Sequence, residues 1–442
     1  MRSARNRELV ALIPVALLLS AGFAAVFAQE NTRLGDASLI YGAYFLAVCI
    51  ATHIFLRLRL PNADPYLFPL VALLTAFGLV MIYRIDEGLA RDQANWFVLG
   101  LLLFALTIQF LRDYDVLERY RYTIAGVGLL LLLAPRLPGI GEQVNGAYLG
   151  VKLGPLAFQP AEFSKICIVV FLASYLREHR EVLIVGARRV LGVTLPPLKH
   201  LGPLLVVWGA SMFMLVFIRD LGSSLMFFAA FLALLYVATG RFSFVVIGMA
   251  MFLVGAWFFA STVPHVHDRV EIWLDPYQDP SESGYQILQS IFAQADGGLF
   301  GRGFGQALIT IPGTDDALLP AAQTDTIYSL IVNEVGLFGA SAVVLIYMLI
   351  AARGFKIALL ADDGFSKLLA TGLTAVFAIQ AFVIIGGVTR VIPLTGVTLP
   401  FISYGGSSIV ANFVLLALLL LISDRARREA TAPRGALALE GA

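Results

Sequence analysis

Residues 221–261 read LGSSLMFFAAFLALLYVATGRFSFVVIGMAMFLVGAWFFAS. Two apolar runs, 221–239 and 243–261, are separated only by Gly240, Arg241 and Phe242. Each is close to the ~20 residues a helix needs to cross the hydrocarbon core of a bilayer. A chain surrounded by lipid must satisfy its backbone polar groups internally, so runs of this kind are spanning helices. Comparable runs lie near 9–28, 37–56, 66–83, 94–111, 122–135, 161–176, 202–218, 326–352, 368–389 and 408–423. The expectation is an all-α polytopic membrane protein with about 12 transmembrane helices. The 122–135 and 408–423 runs are short, and their ends are the least defined.

Composition agrees with that class. Of 442 residues, 59% are hydrophobic and 14% charged, where a soluble domain carries about a quarter charged. A net charge of +1 leaves no basic surface for nucleic acid. Cys49 and Cys167 both fall inside apolar runs and read as packing residues. The first run follows Arg2, Arg5 and Arg7 as in a signal peptide. No small-residue cleavage site precedes Asp36, so it reads as a retained span. With the N-terminus inside, 21 of the 31 Lys and Arg residues fall on the inner side, which favours an N-in/C-in topology. That topology places 136–160, 219–222, 261–325 and 390–407 outside. The inner segment 177–200 reads as a solvated loop in preference to a short interfacial helix, and the tail 425–442 as disordered. No G-x-x-x-x-G-K-[ST] is present, so no nucleotide cofactor is expected. Any substrate must arrive already activated.

The loop 261–325 is polar, rich in Gly and Pro, and long enough to demand a function. It holds His265-Val266-His267, then Trp273-Leu274-Asp275-Pro276-Tyr277-Gln278-Asp279-Pro280, then Gly284-Tyr285-Gln286 and Gln289-Ser290. Proline keeps the preceding residue out of the helix, so Asp275 and Asp279 belong to extended or turn backbone. The plain reading is two turn-forming aspartates. The nearby aromatics and amides suit a sugar, with an apolar face and directed hydrogen bonds. Two histidines at i,i+2 are a weak metal signal.

The other polar positions cluster at expected span mouths. Gln159-Pro160-Ala161-Glu162 opens a helix, with Glu162 and Lys165 as an i,i+3 pair. In Arg219-Asp220-Leu221-Gly222, Asp220 reads either as an N-cap or as a functional carboxylate partnered by Arg219 or Lys165. Thr324-Asp325 precedes another span. Glu334, nine residues further on, is about 13 Å into it at about 1.5 Å per residue, where an ionisable group faces a cavity or a partner; Asn333 is beside it. Ser403-Tyr404-Gly405-Gly406-Ser407-Ser408 alone signals no more than a flexible turn.

Taken in order, Gln159-Pro160-x-Glu162-x-x-Lys165, Asp220-Leu221-Gly222, Asp279-Pro280 with Gly284-Tyr285-Gln286 and Gln289-Ser290, Thr324-Asp325, and Pro400 to Ser408 resemble the SEDS family (RodA, FtsW, SpoVE). Val144 to Ala147 and Gly386 to Arg390 are most similar to the RodA branch of an actinobacterial type. The resemblance covers 66–424 as a glycosyltransferase membrane core. It leaves 1–65 as an added two-helix segment beyond the family's usual ten spans, and 425–442 as a tail. Two motifs depart from the usual pattern. Ala161 stands where Q-P-S-E has serine, and Arg219 where P-D-L-G has proline.

The resemblance implies a peptidoglycan glycosyltransferase that polymerises lipid II at the outer face of the bacterial cytoplasmic membrane, in elongation or division. Asp279 maps onto the family's proposed catalytic aspartate as general base, with Asp275 as its rival. Substrate contacts are expected from Gln159, Glu162, Lys165, Arg219, Asp220, Tyr285, Gln286, Gln289, Ser290, Asp325, Ser403, Gly405, Gly406 and Ser407. A divalent cation, Mg or Mn, is an expected helper for the diphosphate. The implied partners are a class B penicillin-binding protein and other elongation or division machinery. The alternatives are a lipid II flippase and a non-catalytic scaffold for that transpeptidase.

Overall fold

The structure, a computed structural model, describes residues 2–29, 36–144, 147–153, 156–185, 188–190, 193–195, 209, 220–311, 313 and 316–431. Its helices are α1 (Arg2–Ala11), α2 (Ile13–Gln29), α3 (Asp36–Arg59), α4 (Leu67–Ile85), α5 (Glu87–Phe110), α6 (Asp115–Arg119), α7 (Arg121–Leu133), α8 (Pro160–Val185), α9 (Leu221–Thr239) and α10 (Phe242–Thr262). They continue with α11 (Pro264–Leu274), α12 (Tyr285–Gly297), α13 (Ile327–Leu360), α14 (Gly364–Val388) and α15 (Gly406–Thr431). Among the described residues, nine helices are long and apolar enough to cross a membrane, and they coincide with nine of the expected runs. α7 is shorter, at 13 residues. α8 is long enough, at 26 residues, but carries charges near both ends. The 202–218 run lies outside the described residues.

The core is helical, as its apolar runs dictate, while two connections fold as strands. β1 (Gly141–Val144), β2 (Ala147–Leu153) and β3 (Leu156–Phe158) form an antiparallel sheet in that order. Among the described residues of 177–200, helix and a strand pair stand where a solvated loop was expected. α8 runs on to Val185, and β4 (Arg188–Val190) pairs with β5 (Val193–Leu195). Such local pairing depends on register, which hydropathy does not report.

Helices α4, α14 and α15 are the most buried spans, and α10 is the most exposed. Aromatic rings join them. Phe413 of α15 meets Phe97 at 5.6 Å, Phe104 at 6.3 Å and Phe401 at 5.1 Å between centroids, and Phe45 of α3 stacks on Phe97 at 4.8 Å. Gly100 permits the close approach of α5, since a Cβ there would lie 2.6 Å from the Phe413 ring.

At the end of the bundle opposite the 261–325 loop, buried charges hold the first helices to the rest. Arg5 bonds Glu8 and the Ala63 carbonyl, and His53 Nδ1 lies 2.7 Å from Glu8 Oε1. Asp64 pairs with Arg353 at 3.4 Å and with Arg427. Arg425 pairs with Asp115 at 2.8 Å and with Glu429 at 3.1 Å. These pairs explain why α15 continues to Thr431 where disorder was expected from 425; residues 432–442 lie outside the described part.

The span α13 is broken at Gly336, whose φ 67 and ψ −176 are open only to glycine. The backbone groups released by the break are taken up by the 298–303 segment. Arg302 N donates to Asn333 O at 2.9 Å and Gly303 N to Glu334 O at 3.0 Å. Leu337 N donates to Gly298 O at 2.9 Å and Phe338 N to Leu299 O at 3.2 Å. A Cβ on Gly336 would lie 2.3 Å from Gly301 N. Gly336→Ala should therefore cost about 3 kcal/mol or more and loosen 298–303. Thermal unfolding of the purified protein in detergent, with hydrogen exchange of that segment, checks this.

Candidate functional site

Three span mouths and one irregular segment meet at the loop end of the bundle. Pro160 starts α8, placing Glu162 in its first turn beside Lys165. Lys165 Nζ donates to Glu162 Oε2 at 2.6 Å and to Gln380 Oε1 at 2.7 Å. Gln380 Nε2 in turn donates to Glu162 Oε1 at 3.3 Å and to Thr398 O at 3.0 Å. Glu162, Lys165 and Gln380 are all buried. A buried ion pair persists only when its remaining hydrogen-bonding capacity is met, and Gln380 does that. The Glu162–Lys165 pair was legible in the sequence. Gln380 was missed, although a lone amide in an apolar span is itself a signal of an interior partner.

Asp220 caps α9, accepting Ser223 N at 2.9 Å, as its position before the span foretold. Burial pushes its carboxyl above the usual value, and Glu162 adds to the rise while Arg269 opposes it. Asp325 is raised to about 6, chiefly by burial, again opposed by Arg269. The positive charge of Arg269 in α11 thus acts on carboxyls from two different span mouths, and its Nη1 donates to Leu394 O at 2.6 Å. The sequence reading did not single it out. Arg219, its expected counterpart, lies outside the described residues.

The Pro400 to Ser408 stretch is an ordered brace, where the sequence alone suggested a flexible turn. Ser403 Oγ donates to Thr324 O at 2.8 Å and accepts Leu399 N at 2.9 Å. Gln93 Nε2 donates to Ser403 O at 3.0 Å, and Gln93 Oε1 accepts Gly405 N at 3.2 Å. Ser407 Oγ accepts Gln159 N at 2.8 Å, and a Cβ on Gly406 would lie 2.3 Å from the Trp96 ring. Gln159, Ser403, Gly405, Gly406 and Ser407 thus hold the mouths of α8 and α13 together.

Asp275 and Asp279 sit apart from this buried group. Asp275 follows α11 and accepts Tyr277 N at 3.1 Å. Asp279 accepts Glu282 N at 3.2 Å, and Ser283 N and Oγ at 3.1 and 2.8 Å. These bonds hold its carboxyl below the usual value, the largest effect coming from the Ser283 backbone N–H. The turn-forming reading is therefore true of both. Among the described residues, no hydrogen bond or ion pair joins Asp279 to Glu162 or Lys165. Tyr285, Gln286 and Gln289 share the partly exposed face of α12, with Tyr285 Oη donating to Ala317 O at 3.3 Å. Ser290 is on the buried side.

Glu334 resolves to a partner. Arg84 Nε is 2.8 Å from its Oε1, and the same guanidinium donates to Gly305 O at 3.0 Å and Ala307 O at 2.5 Å. The pair ties α4 and α13 to the 261–325 loop. Asn333 Nδ2 donates to Ala293 O at 2.8 Å. His267 turns to Ala260 O at 3.0 Å and Glu271 at 3.4 Å. No group of three metal-ligating side chains occurs among the described residues.

The chain as a whole is similar to known proteins. The profile of the cell cycle protein family of FtsW, RodA and SpoVE matches residues 65–428. The chain belongs to this family. It is 41% identical to the peptidoglycan glycosyltransferase RodA of Mycobacterium tuberculosis over 96% of this chain and 91% of that one. It is 32% identical to the stage V sporulation protein E of Bacillus subtilis over 83% and 98%. A chain from a solved peptidoglycan synthase complex that coordinates polymerization and crosslinking superposes with a TM-score of 0.66 at 29% identity, covering 84% of this chain and 99% of that one.

Two outcomes follow from the geometry. Lys165→Met leaves Glu162 buried without its cation and should lower stability by about 3–5 kcal/mol, while Lys165→Met combined with Glu162→Gln recovers part of the loss; thermal unfolding in detergent reads both. Asp325 has a folded pKa of about 6, above its ordinary value. Its contribution to stability is complete below the unfolded pKa and is lost as pH rises through about 6. Asp325→Asn should therefore be more stable than wild type at pH about 7–8, and the difference should vanish below about pH 4. Melting temperatures across that range test the sign.

Proposed function

We propose that this chain is a peptidoglycan glycosyltransferase of the RodA type, polymerising lipid II at the outer face of the cytoplasmic membrane. The observation that carries the reading is the convergence of the described motif residues at one end of a membrane-embedded bundle, in a chain related along nearly its whole length to enzymes of that name. The bias of Lys and Arg puts that end outside. The donor is a preactivated lipid, consistent with the lack of a nucleotide motif.

In this reading Asp279 takes the proton from the acceptor sugar's 4-hydroxyl. That oxygen attacks C1 of the donor sugar, the C1–O bond to diphosphate breaks, and the lipid diphosphate leaves with inversion. Base catalysis of this kind is worth about 10²–10⁴-fold. The Ser283 and Glu282 bonds keep Asp279 ionised and oriented before substrate arrives. Covering the turn with a disaccharide removes water and raises its basicity. Tyr285, Gln286 and Gln289 offer an aromatic face and amides beside it.

The diphosphate needs positive charge. Lys165 is already balanced by Glu162, and the charge of Arg269 acts on both Asp220 and Asp325. The described groups therefore leave carboxylate in excess, which suits a Mg or Mn ion entering with the diphosphate. Such ions are held by one or two carboxylates together with phosphate oxygens; Asp220 would supply the carboxylate. A class B penicillin-binding protein as partner fits the likeness to a chain of a synthase complex.

The test is polymerisation of fluorescent lipid II by the purified protein with its cognate class B partner. Glycan ladders are expected from wild type and Asp275→Ala and not from Asp279→Ala, with EDTA reducing the wild-type yield. Ladders from Asp279→Ala would remove the assigned base. No ladder from folded, partner-bound wild type would favour transport or scaffolding.

A further inference from the structure

Helix α11 carries the Asp275–Ser283 turn at its C-terminal end, yet little apolar packing holds it, since Val266 is its one fully buried hydrophobic among the described residues. Two arginines hold it by hydrogen bonds. Arg390 Nε donates to Trp273 O at 2.8 Å and its Nη2 to Leu274 O at 2.6 Å, while Trp273 Nε1 donates back to Arg390 O at 3.0 Å. One turn earlier on the same face of α11, Arg269 Nη1 donates to Leu394 O at 2.6 Å. Residues 269 and 273 thus meet 394 and 390 as two rungs of a ladder.

The Arg390 rung has the marks of a specific device. The carbonyls of Trp273 and Leu274 are among those that a helix leaves unsatisfied at its C-terminus, and a cation there is favoured. Arg390 reaches them from a positive-φ backbone, φ 62, a conformation that disfavours a non-glycine residue. Its own main chain is tied to the end of α14 by Arg390 N to Gly387 O at 3.2 Å and Val391 N to Gly386 O at 2.8 Å. Beyond the ladder, the same segment runs past Asp325, and Thr398 O accepts Gln380 of the buried cluster. On the other side the turn is closed tightly. Gly284 N donates to Asp279 O at 2.9 Å, and a Cβ on Gly284 would lie 2.1 Å from Pro276 O. A shift of the α11 end is therefore passed on to Asp279.

We infer that Arg390, through its reciprocal bonds with Trp273 and Leu274, is a positioning residue that sets where Asp279 stands relative to the buried Glu162–Lys165–Gln380 cluster. The inference rests on the proposed role of Asp279. The informative variants are Arg390→Gly, which keeps the left-handed backbone and deletes the guanidinium, Arg390→Lys, which keeps the charge and loses the fork, and Trp273→Phe, which removes one bond. Each is purified as the full chain with its class B partner and assayed for kcat and KM on fluorescent lipid II. A misplacement of about 1 Å costs on the order of 10²-fold, so Arg390→Gly should lower kcat about 10- to 100-fold. KM should stay within about twofold, because the interaction lost is not one with bound substrate. Arg390→Lys should recover part of kcat. Hydrogen exchange should rise in 264–283 and stay unchanged in Leu67–Ile85 and Gly406–Thr431. The proposal is overturned by an unchanged kcat in Arg390→Gly, by a loss confined to KM, or by exchange rising across the bundle. An active Asp279→Ala removes the premise instead, and that result is read on the single Asp279 variant alone.

Discussion

A lysine and a glutamate sealed inside a membrane bundle are the constraint around which the loop end is arranged. Neither is tolerated there alone. Lys165 and Glu162 neutralise each other across one turn of α8, and Gln380 of α14 bonds both while also reaching Thr398 O. That single amide fixes α14 against α8 and draws the 394–398 segment over them. Once the segment is placed, Arg269 of α11 bonds its Leu394 carbonyl, Arg390 reaches the carbonyls at the end of α11, and α11 has a seat. The placement of the turn that carries Asp279 follows from that seat.

The second organising feature is the break at Gly336. A membrane span with released backbone groups needs protein or water to receive them. Here the 298–303 segment receives them, and Arg84 secures the neighbouring loop while facing Glu334. The 261–325 loop is therefore a built-in part of the bundle. Its described residues form two helices and a laced segment, and Asp275 and Asp279 hold defined turns. The ionisable group deep in α13 serves this junction, which explains its depth without a pathway for ions or substrate.

The chemistry divides between a wet region and a dry one. Hydrogen bonds from Ser283 and Glu282 at the surface lower the Asp279 carboxyl, whereas burial raises those of the buried Asp220 and the half-buried Asp325. In the proposed function, the sugar hydroxyl would meet the first and the lipid-linked diphosphate the second. The brace from Pro400 to Ser408 keeps the mouths of α8 and α13 at fixed spacing, so its serines and glycines act through packing and backbone bonds.

The sequence by itself determined the class of protein, nine of the spans, and local features at their ends. Hydropathy sums along a contiguous run, and a cap such as Asp220 or an i,i+3 pair such as Glu162–Lys165 is settled within a few residues. The turn geometry of Asp275 and Asp279 was legible for the same reason, since a following proline acts on its neighbour. Tertiary structure alone decided the partners of those groups. Gln380 meets Glu162, Arg269 bonds the Leu394 carbonyl, Arg84 finds Glu334 and Arg390 caps the helix ending at Leu274, each across scores of residues in the chain. Such pairings depend on which helices lie side by side, and a one-dimensional pattern of polar positions is compatible with many of them. Even the hairpins at 141–158 and 188–195 escaped the sequence reading. Strand pairing is a relation between two segments, and neither segment states it alone.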